Sequence, residues 1–337
     1  MHVKNGLIEV ILRNETKEVK KNFAAKNISS IVLNKQSTLT ASVVELALIH
    51  KIDIIFCDDY GDPFARIWYP GLGSTTKIRK AQLIASLTDT GVEFSKYWIN
   101  GKISKRIELL KKLKKHREGK DALITSGIRD LENSLSKISL IKAKNIKEID
   151  ENIRGIEGSS GKRYFEILAE LIPYDYKFQG RSFRPAKDPF NAALNYSYGI
   201  LYSKIEKALI IAGIDPYLGF LHRDEYNMLS MVYDFVEPFR PVCEEIVFKL
   251  FSQKLIAKKN FETIINGVQL NKEGKAIISE SLNKNFAEAK SLYRGKKQNT
   301  ENVIRLEAHY LASTLLKRKF DLGEFGTMFS NNILDEL

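Results

Sequence analysis

The hydrophobic period of this chain changes near residue 75, and that change constrains its fold more than any single motif does. Before it, LIEVILRN (7–14), ISSIVLN (28–34) and KIDIIFCDD (51–59) are short runs rich in Ile, Val and Leu with polar breaks between them. That is the pattern of strands. ASVVELALIHK (41–51) reads as one short helix within this region. FARIWY, inside YGDPFARIWYPGLGS (60–74), reads as a further strand that runs into a Pro/Gly-rich connector and so marks a domain boundary. After residue 75 the apolar residues recur at helical spacing. Helices are expected over 76–90, 92–117, 121–140, 147–172, 189–212, from about 225 to 233 and beyond, 238–255, 258–264, 272–289 and 299–318. No internal repeat recurs at a fixed period. The expected class is α+β: a small β-rich N-terminal domain (1–74) followed by a larger helical domain (75–337).

With 337 residues, 44% of them hydrophobic, the chain can bury two cores and is too apolar for disorder. The start, MHVKNGLIEVILRN, lacks the uninterrupted apolar core of a secretion signal. No run approaches the roughly 18 apolar residues of a membrane span. A soluble, cytoplasmic protein with no membrane role is expected. Cys57 and Cys243 both lie in hydrophobic runs and read as buried free thiols, too few for a zinc cluster.

A formal net charge of +12 favours a polyanionic partner through long-range attraction. In 101–120, GKISKRIELLKKLKKHREGK, nine Lys or Arg stand against two Glu. Ile103, Ile107, Leu110 and Leu113 form an apolar stripe, which leaves the basic residues on the other faces. Those faces suit solvent or nucleic-acid phosphate, and less readily a membrane or partner. Against this background LHRDEYNMLSMVYDFVEPFRP (221–241) concentrates acid in an apolar segment. A solvated helix face and a metal site working on a polyanion both account for it. Asp234 and Glu237 are three apart, on one face if the segment is helical, and Met231, Val232, Phe235 and Val236 surround them with apolar bulk. Carboxylates so placed need hydrogen bonds, cations or a metal ion. His222 follows LGF, where a loop enters the next element, and imidazole with carboxylates suits Mn2+ or Mg2+.

The best further ligand lies in RGIEGSSGKRYFEIL (154–168), whose apolar residues are helical in spacing although Gly158 and Gly161 interrupt it. Each glycine costs roughly 1 kcal/mol against alanine inside a helix. Close packing, ligand approach or a real break in the helix would account for them. Glu157 is the candidate acid there. GSSGK fails as a phosphate loop, because Ile156 stands where the first glycine belongs and Arg163 replaces Ser/Thr. No HExxH, GxGxxG or Ser–His–Asp pattern appears. RSFRPAKDPFNAALNYSYGILYSKI (181–205) places Arg181, Arg184 and Lys187 beside an aromatic-rich helix, in reach of phosphate. Arg223 and Arg240 join them as candidate nucleic-acid contacts. Tyr196, Tyr198 and Tyr202 suit core, interface or base stacking.

Three blocks, RGIEGSSGKRYFEIL, RPAKDPFNAALNYSYGILY and GIDPYLGFLHRDEYNMLSMVYDFVEPFRP, in this order and separation, resemble the CRISPR-associated adaptation integrase, the universal spacer-acquisition family. Weaker agreement spans nearly the whole chain. The resemblance implies a β-sandwich-like N-terminal domain for dimerisation and partner contacts, and an all-helical catalytic domain. It implies a homodimer that joins a small ferredoxin-like CRISPR adaptation protein on DNA. The family's metal-binding glutamate falls on Glu157, its histidine on His222 and its last acidic ligand, often aspartate, on Glu237. Its additional active-site aspartate falls on Asp234, expected to act through a water or a neighbouring ligand. Glu244 stands where an aspartate often follows, with its role open. The implied chemistry is 3′-OH transesterification that inserts spacer DNA, with disintegration of branched DNA as its reverse and cleavage when water attacks. The competing readings are a general metal-dependent nuclease, a non-catalytic nucleic-acid scaffold, and a helical interaction protein that needs no metal.

Overall fold

The computed structural model describes residues 1–14, 17–28, 30–33, 36–50, 52–57, 63–67, 75–222 and 225–317. The chain divides into two compact units, Met1–Gly73 and Ser74–Leu337.

In the first unit, β1 (His2–Lys4), β2 (Leu7–Asn14) and β3 (Lys17–Phe23) form an antiparallel sheet. The β1–β2 turn is Asn5-Gly6, with φ of 49° and 74°, the left-handed pair that a two-residue hairpin demands. A second sheet holds β4 (Ser30–Leu33), β5 (Asp53–Cys57) and β6 (Pro63–Ile67). β4 and β5 run parallel, which requires a crossover, and α1 (Ala41–Ile49) lies between them in sequence. Ile8, Ile31, Leu33, Val43, Ala47, Ile52 and Ile54, drawn from both sheets and α1, close one apolar core. The connector over 68–74 and the Cys57 side chain lie outside the described residues.

The second unit comprises α2 (Thr75–Ser86), α3 (Asp89–Lys114), α4 (Asp121–Leu140), α5 (Asp150–Leu171), α6 (Pro189–Ile211), α7 (Ser230–Phe235) and α8 (Arg240–Ser252). A hairpin of β7 (Phe261–Ile264) and β8 (Gly267–Leu270) follows. Then come α9 (Lys272–Glu288), a second hairpin of β9 (Lys290–Tyr293) and β10 (Lys296–Asn299), and α10 (Thr300–Lys317). α3 is the central rod: Val92, Phe94, Trp98, Ile103, Ile107 and Leu110 are buried, and it packs on α4, α5, α8 and the 3₁₀ turn Glu237–Phe239. Among the described residues no helix is long and apolar enough to cross a membrane.

Several expectations are corrected. Residues 258–264 are a 3₁₀ turn and a strand rather than a helix, because Asn266 at φ 63° turns the chain back on itself. The helix expected from 225 begins only at Ser230. The stripe on α3 holds at Ile103, Ile107 and Leu110, yet Lys102 and Arg106 are buried beside it rather than left on outer faces. α5 runs unbroken through Gly158 and Gly161, so no break in the helix accounts for those glycines. Cys243 is a buried free thiol.

Candidate active site

The loop between α6 and α7 brings His222 into place, and each step has a local cause. Gln82 of α2, fully buried, donates to the carbonyls of Asp215 (2.9 Å) and Leu218 (2.8 Å) and accepts from the Asp215 amide (2.9 Å). Gly219 packs so tightly that a Cβ there would sit 2.7 Å from Ser230 Cβ. Phe220 stacks on Trp98, with centroids 5.7 Å apart and planes 10° from parallel. The next amides then converge on one carboxylate. Phe220 and Leu221 donate to Asp234 Oδ2 (2.5 and 3.0 Å), and His222 donates to Oδ1 (3.0 Å).

His222 Nδ1 lies 2.5 Å from the same Asp234 Oδ1. With Nδ1 as the donor, Nε2 carries the lone pair a metal ligand uses. Burial pulls the His222 imidazole down, but the hydrogen bond and charge of Asp234 outweigh it and leave it above its ordinary value.

Glu157 on α5 and Glu237 on the 3₁₀ turn meet at one atom. Lys102 Nζ donates to Glu157 Oε1 and, at 2.5 Å, to Glu237 Oε2. α3 approaches the turn closely because residue 101 is glycine: a Cβ there would lie 3.0 Å from Pro238 Cβ. Glu237 also accepts from Arg240 Nε (2.9 Å). Burial pushes the Glu237 carboxyl up, yet Arg240 and Lys102 hold it down at about 2. Arg240 is itself anchored, donating to the Tyr202 hydroxyl (2.7 Å) and lying 4.8 Å over the Tyr198 ring. The cluster opens on one side, since the Glu157 and His222 side chains are 32% and 28% exposed while Glu237 and Asp234 are sealed at 5% and 0%.

Glu244 forms a separate buried pair beneath. Arg106 grips it with Nε (3.0 Å) and Nη2 (2.6 Å), and the Tyr198 hydroxyl donates to it (2.7 Å). Burial raises the Glu244 carboxyl, but Arg106 more than offsets this and leaves it below its usual range. Both of its oxygens are engaged by protein donors, so Glu244 is a structural counter-ion to Arg106.

The candidate nucleic-acid residues divide. Arg181 is committed inward, donating to the Asn191 and Asn195 side chains, and Arg240 belongs to the carboxylate cluster. Arg184 and Lys187 are exposed, with Lys187 Nζ donating to the Asn266 carbonyl (3.0 Å). Arg223 lies outside the described residues. The tyrosines divide as well: Tyr198 is buried, and the Tyr196 hydroxyl meets Ser279 (3.1 Å).

Among the described residues no three His, Cys, Asp or Glu side chains stand as a ready-made metal cage. Two of the candidate ligands nonetheless aim an oxygen at a single cationic nitrogen, and the third is held by a carboxylate through its other ring nitrogen. Oxygen and imidazole donors of this kind fit Mn2+ or Mg2+. Lys102, Arg106 and Gln82 were not legible as site residues. Apolar spacing carries no mark for a buried cation, although Lys102 and Arg106 are four apart and follow the glycine of INGK.

A family profile described as "CRISPR associated protein Cas1" matches residues 1–284. A curated Cas1 endonuclease of Archaeoglobus fulgidus is 29% identical over 324 residues, covering 93% of this chain and 92% of the relative. One from Thermus thermophilus is 27% identical over 310 residues, covering 92% and 91%. Among solved structures, a casposase bound to its integration product superposes with a TM-score of 0.82 at 24% identity, over 100% of this chain and 93% of the other. A Cas1 protein from Thermotoga maritima gives 0.74 at 20% identity, over 94% of each chain. At those identities the structural likeness shows the fold: a small strand-rich N-terminal region followed by a mostly helical domain.

Proposed function

The chain belongs to the CRISPR-associated Cas1 family, and from that premise we propose that it is a metal-dependent DNA integrase and endonuclease of CRISPR adaptation, acting in the cytoplasm. The observation that carries this reading is the convergence of Glu157 and Glu237 on one cation-sized point, beside a histidine oriented by Asp234. Glu157, His222 Nε2 and Glu237 would hold Mn2+ or Mg2+. Held there, such an ion would supply Lewis acidity at a phosphoryl oxygen.

The chain's own residues have separate tasks. Asp234 is a positioning residue that fixes the imidazole and the loop behind it. Arg240 keeps Glu237 ionised. Glu157, on the open side, faces the incoming substrate. The reaction exchanges one phosphodiester for another. A new P–O bond forms to the 3′-oxygen of the incoming DNA, the P–O bond to the 3′-oxygen at the repeat boundary breaks, and the proton of the attacking hydroxyl ends on the departing oxygen. Run backwards, this is disintegration; with water as attacker, it is cleavage. The resemblance supports DNA as substrate, with a homodimer and a small ferredoxin-like adaptation protein as partners, and the relatives named as endonucleases agree with cleavage of nucleic acid.

The test is a branched DNA that mimics a half-integrated spacer, incubated with wild type and Glu157→Ala in Mn2+, Mg2+ or EDTA. Wild type should release and rejoin strands in a divalent ion only. Loss of one charge-stabilising group should cost about 10²–10³-fold or more in rate. Hydrolysis without rejoining would assign a nuclease instead. Rejoining in EDTA, or by Glu157→Ala at the wild-type rate, would overturn the assignment of the site.

A further inference from the structure

We propose that Lys102 is the resident counter-cation of this site, seated where a divalent ion binds and exchanged for it on loading. The inference rests on the reading of Glu157, His222 and Glu237 as metal ligands, and it adds a residue that neither motif nor spacing indicated. Its basis is geometric. The two carboxylates come from elements far apart in sequence and meet at a single ammonium nitrogen. Lys102 is only 3% exposed, so this is no surface pair loosely drawn together.

Without a cation between them, two facing carboxylates, one of them fully buried, would repel and spread. Lys102 therefore holds the two carboxylates in binding geometry when no divalent ion lies between them. The same position excludes a second cation. A divalent ion bound to those oxygens would stand within a few ångströms of the ammonium, where like charges in a water-poor site repel strongly.

The two neighbouring cations are not equivalent in how they are held. Arg240 is tied to the Tyr202 hydroxyl and lies over the rings of Tyr198 and Tyr202. Both hydrogen bonds of the Lys102 ammonium go to the two carboxylates themselves. Its flexible four-carbon stem can withdraw, whereas the planar Arg240 fork is fixed. Lys102 is the cation that leaves, and Arg240 the one that stays. Competition of this kind weakens apparent metal affinity by the fraction of molecules in the competent state.

The experiment titrates Mn2+ against wild type, Lys102→Met, Lys102→Arg and Glu157→Gln, following free Mn2+ by electron paramagnetic resonance. Methionine keeps the stem volume and removes the charge. Lys102→Met should bind Mn2+ at least tenfold more tightly than wild type, melt at a lower temperature without metal, and show a larger Mn2+-dependent rise in Tm. Lys102→Arg should not tighten binding, and Glu157→Gln should weaken it. Equal or weaker binding by Lys102→Met, with wild-type binding intact, would overturn the exchange and leave the metal site standing. Failure of wild type to bind Mn2+ would overturn both. A measurement on wild type alone covers the case in which Lys102→Met does not fold: acylation of the Lys102 amine, read by mass spectrometry, should rise severalfold on adding Mn2+. Unchanged labelling would overturn the proposal.

Discussion

Glu237 and Glu307 are buried glutamates of the same helical unit, 4% and 2% exposed, and both face side chains of α3. Their surroundings hold them in opposite states. Glu237 meets Lys102 and Arg240, and its carboxyl is held at about 2. Glu307 accepts from the hydroxyls of Tyr97 (3.2 Å) and Tyr293, with Arg294 standing off at 3.8 Å. There burial prevails and pushes the carboxyl up to about 7. Burial alone does not decide what a carboxylate offers; the groups facing it do. Glu237 presents ionised oxygens across the neutral range and suits a cation. Glu307 keeps its proton into the neutral range and ties the β9–β10 hairpin and α10 to α3.

The largest test of that contrast lies at Glu244, whose charge partner is as buried as it is. Glu244→Gln leaves the Arg106 guanidinium uncompensated, and breaking a buried pair in this way should cost about 3–5 kcal/mol in urea unfolding. A loss below about 1 kcal/mol, the size of an exposed pair, would mean that Arg106 finds another partner and that this network is looser than Glu237 implies.

The next effect is in pH. Glu307 rises from 4.5 to about 7 on folding, so the folded protein keeps a proton that the unfolded chain releases. Its contribution to stability is fully present below about pH 4.5 and is lost as pH rises through 7, a fall of roughly 3 kcal/mol. Glu307→Gln should remove that fall from a series of urea midpoints while leaving the proposed DNA strand transfer unchanged. A slope equal to wild type would erase the distinction drawn between the two glutamates.

The smallest effect lies outside both clusters. Arg184→Ala with Lys187→Ala should weaken the proposed DNA binding uniformly across sequences and lower its salt slope by about 1 for each phosphate no longer neutralised. Stability should be unchanged. A sequence-selective loss would place these residues at bases rather than phosphates.

Much of the frame was legible because its signals are local. Apolar spacing locates α3, α4, α5 and α6 to within a few residues, and Asp188 caps α6 by accepting from the Asn191 amide (2.8 Å). The strand β3, KEVKKNF, was hidden by its charge, and the Asn-Gly pairs at 5–6 and 266–267 are hairpin signals that apolar spacing alone does not register. At the site, the proposed ligands Glu157, His222 and Glu237 carry their chemistry in their side chains and drew notice for that reason. Lys102 did not. Its partners lie 55 and 135 residues away in sequence, and a lysine beside an apolar stripe reads as solvated until the chain folds back over it. Gln82 was hidden for the same reason, since an amide that clamps a distant loop leaves no local pattern.

The single carboxylate of Asp234, with three consecutive amides and an imidazole gathered on it, has a thermodynamic consequence. Fixing a backbone residue costs about 1–2 kcal/mol in conformational entropy. For residues 220–222 that loss is incurred when the protein folds, not when a ligand arrives. A ligand reaching His222 meets backbone already fixed by hydrogen bonds, and the entropy of its binding need not include the ordering of those three residues.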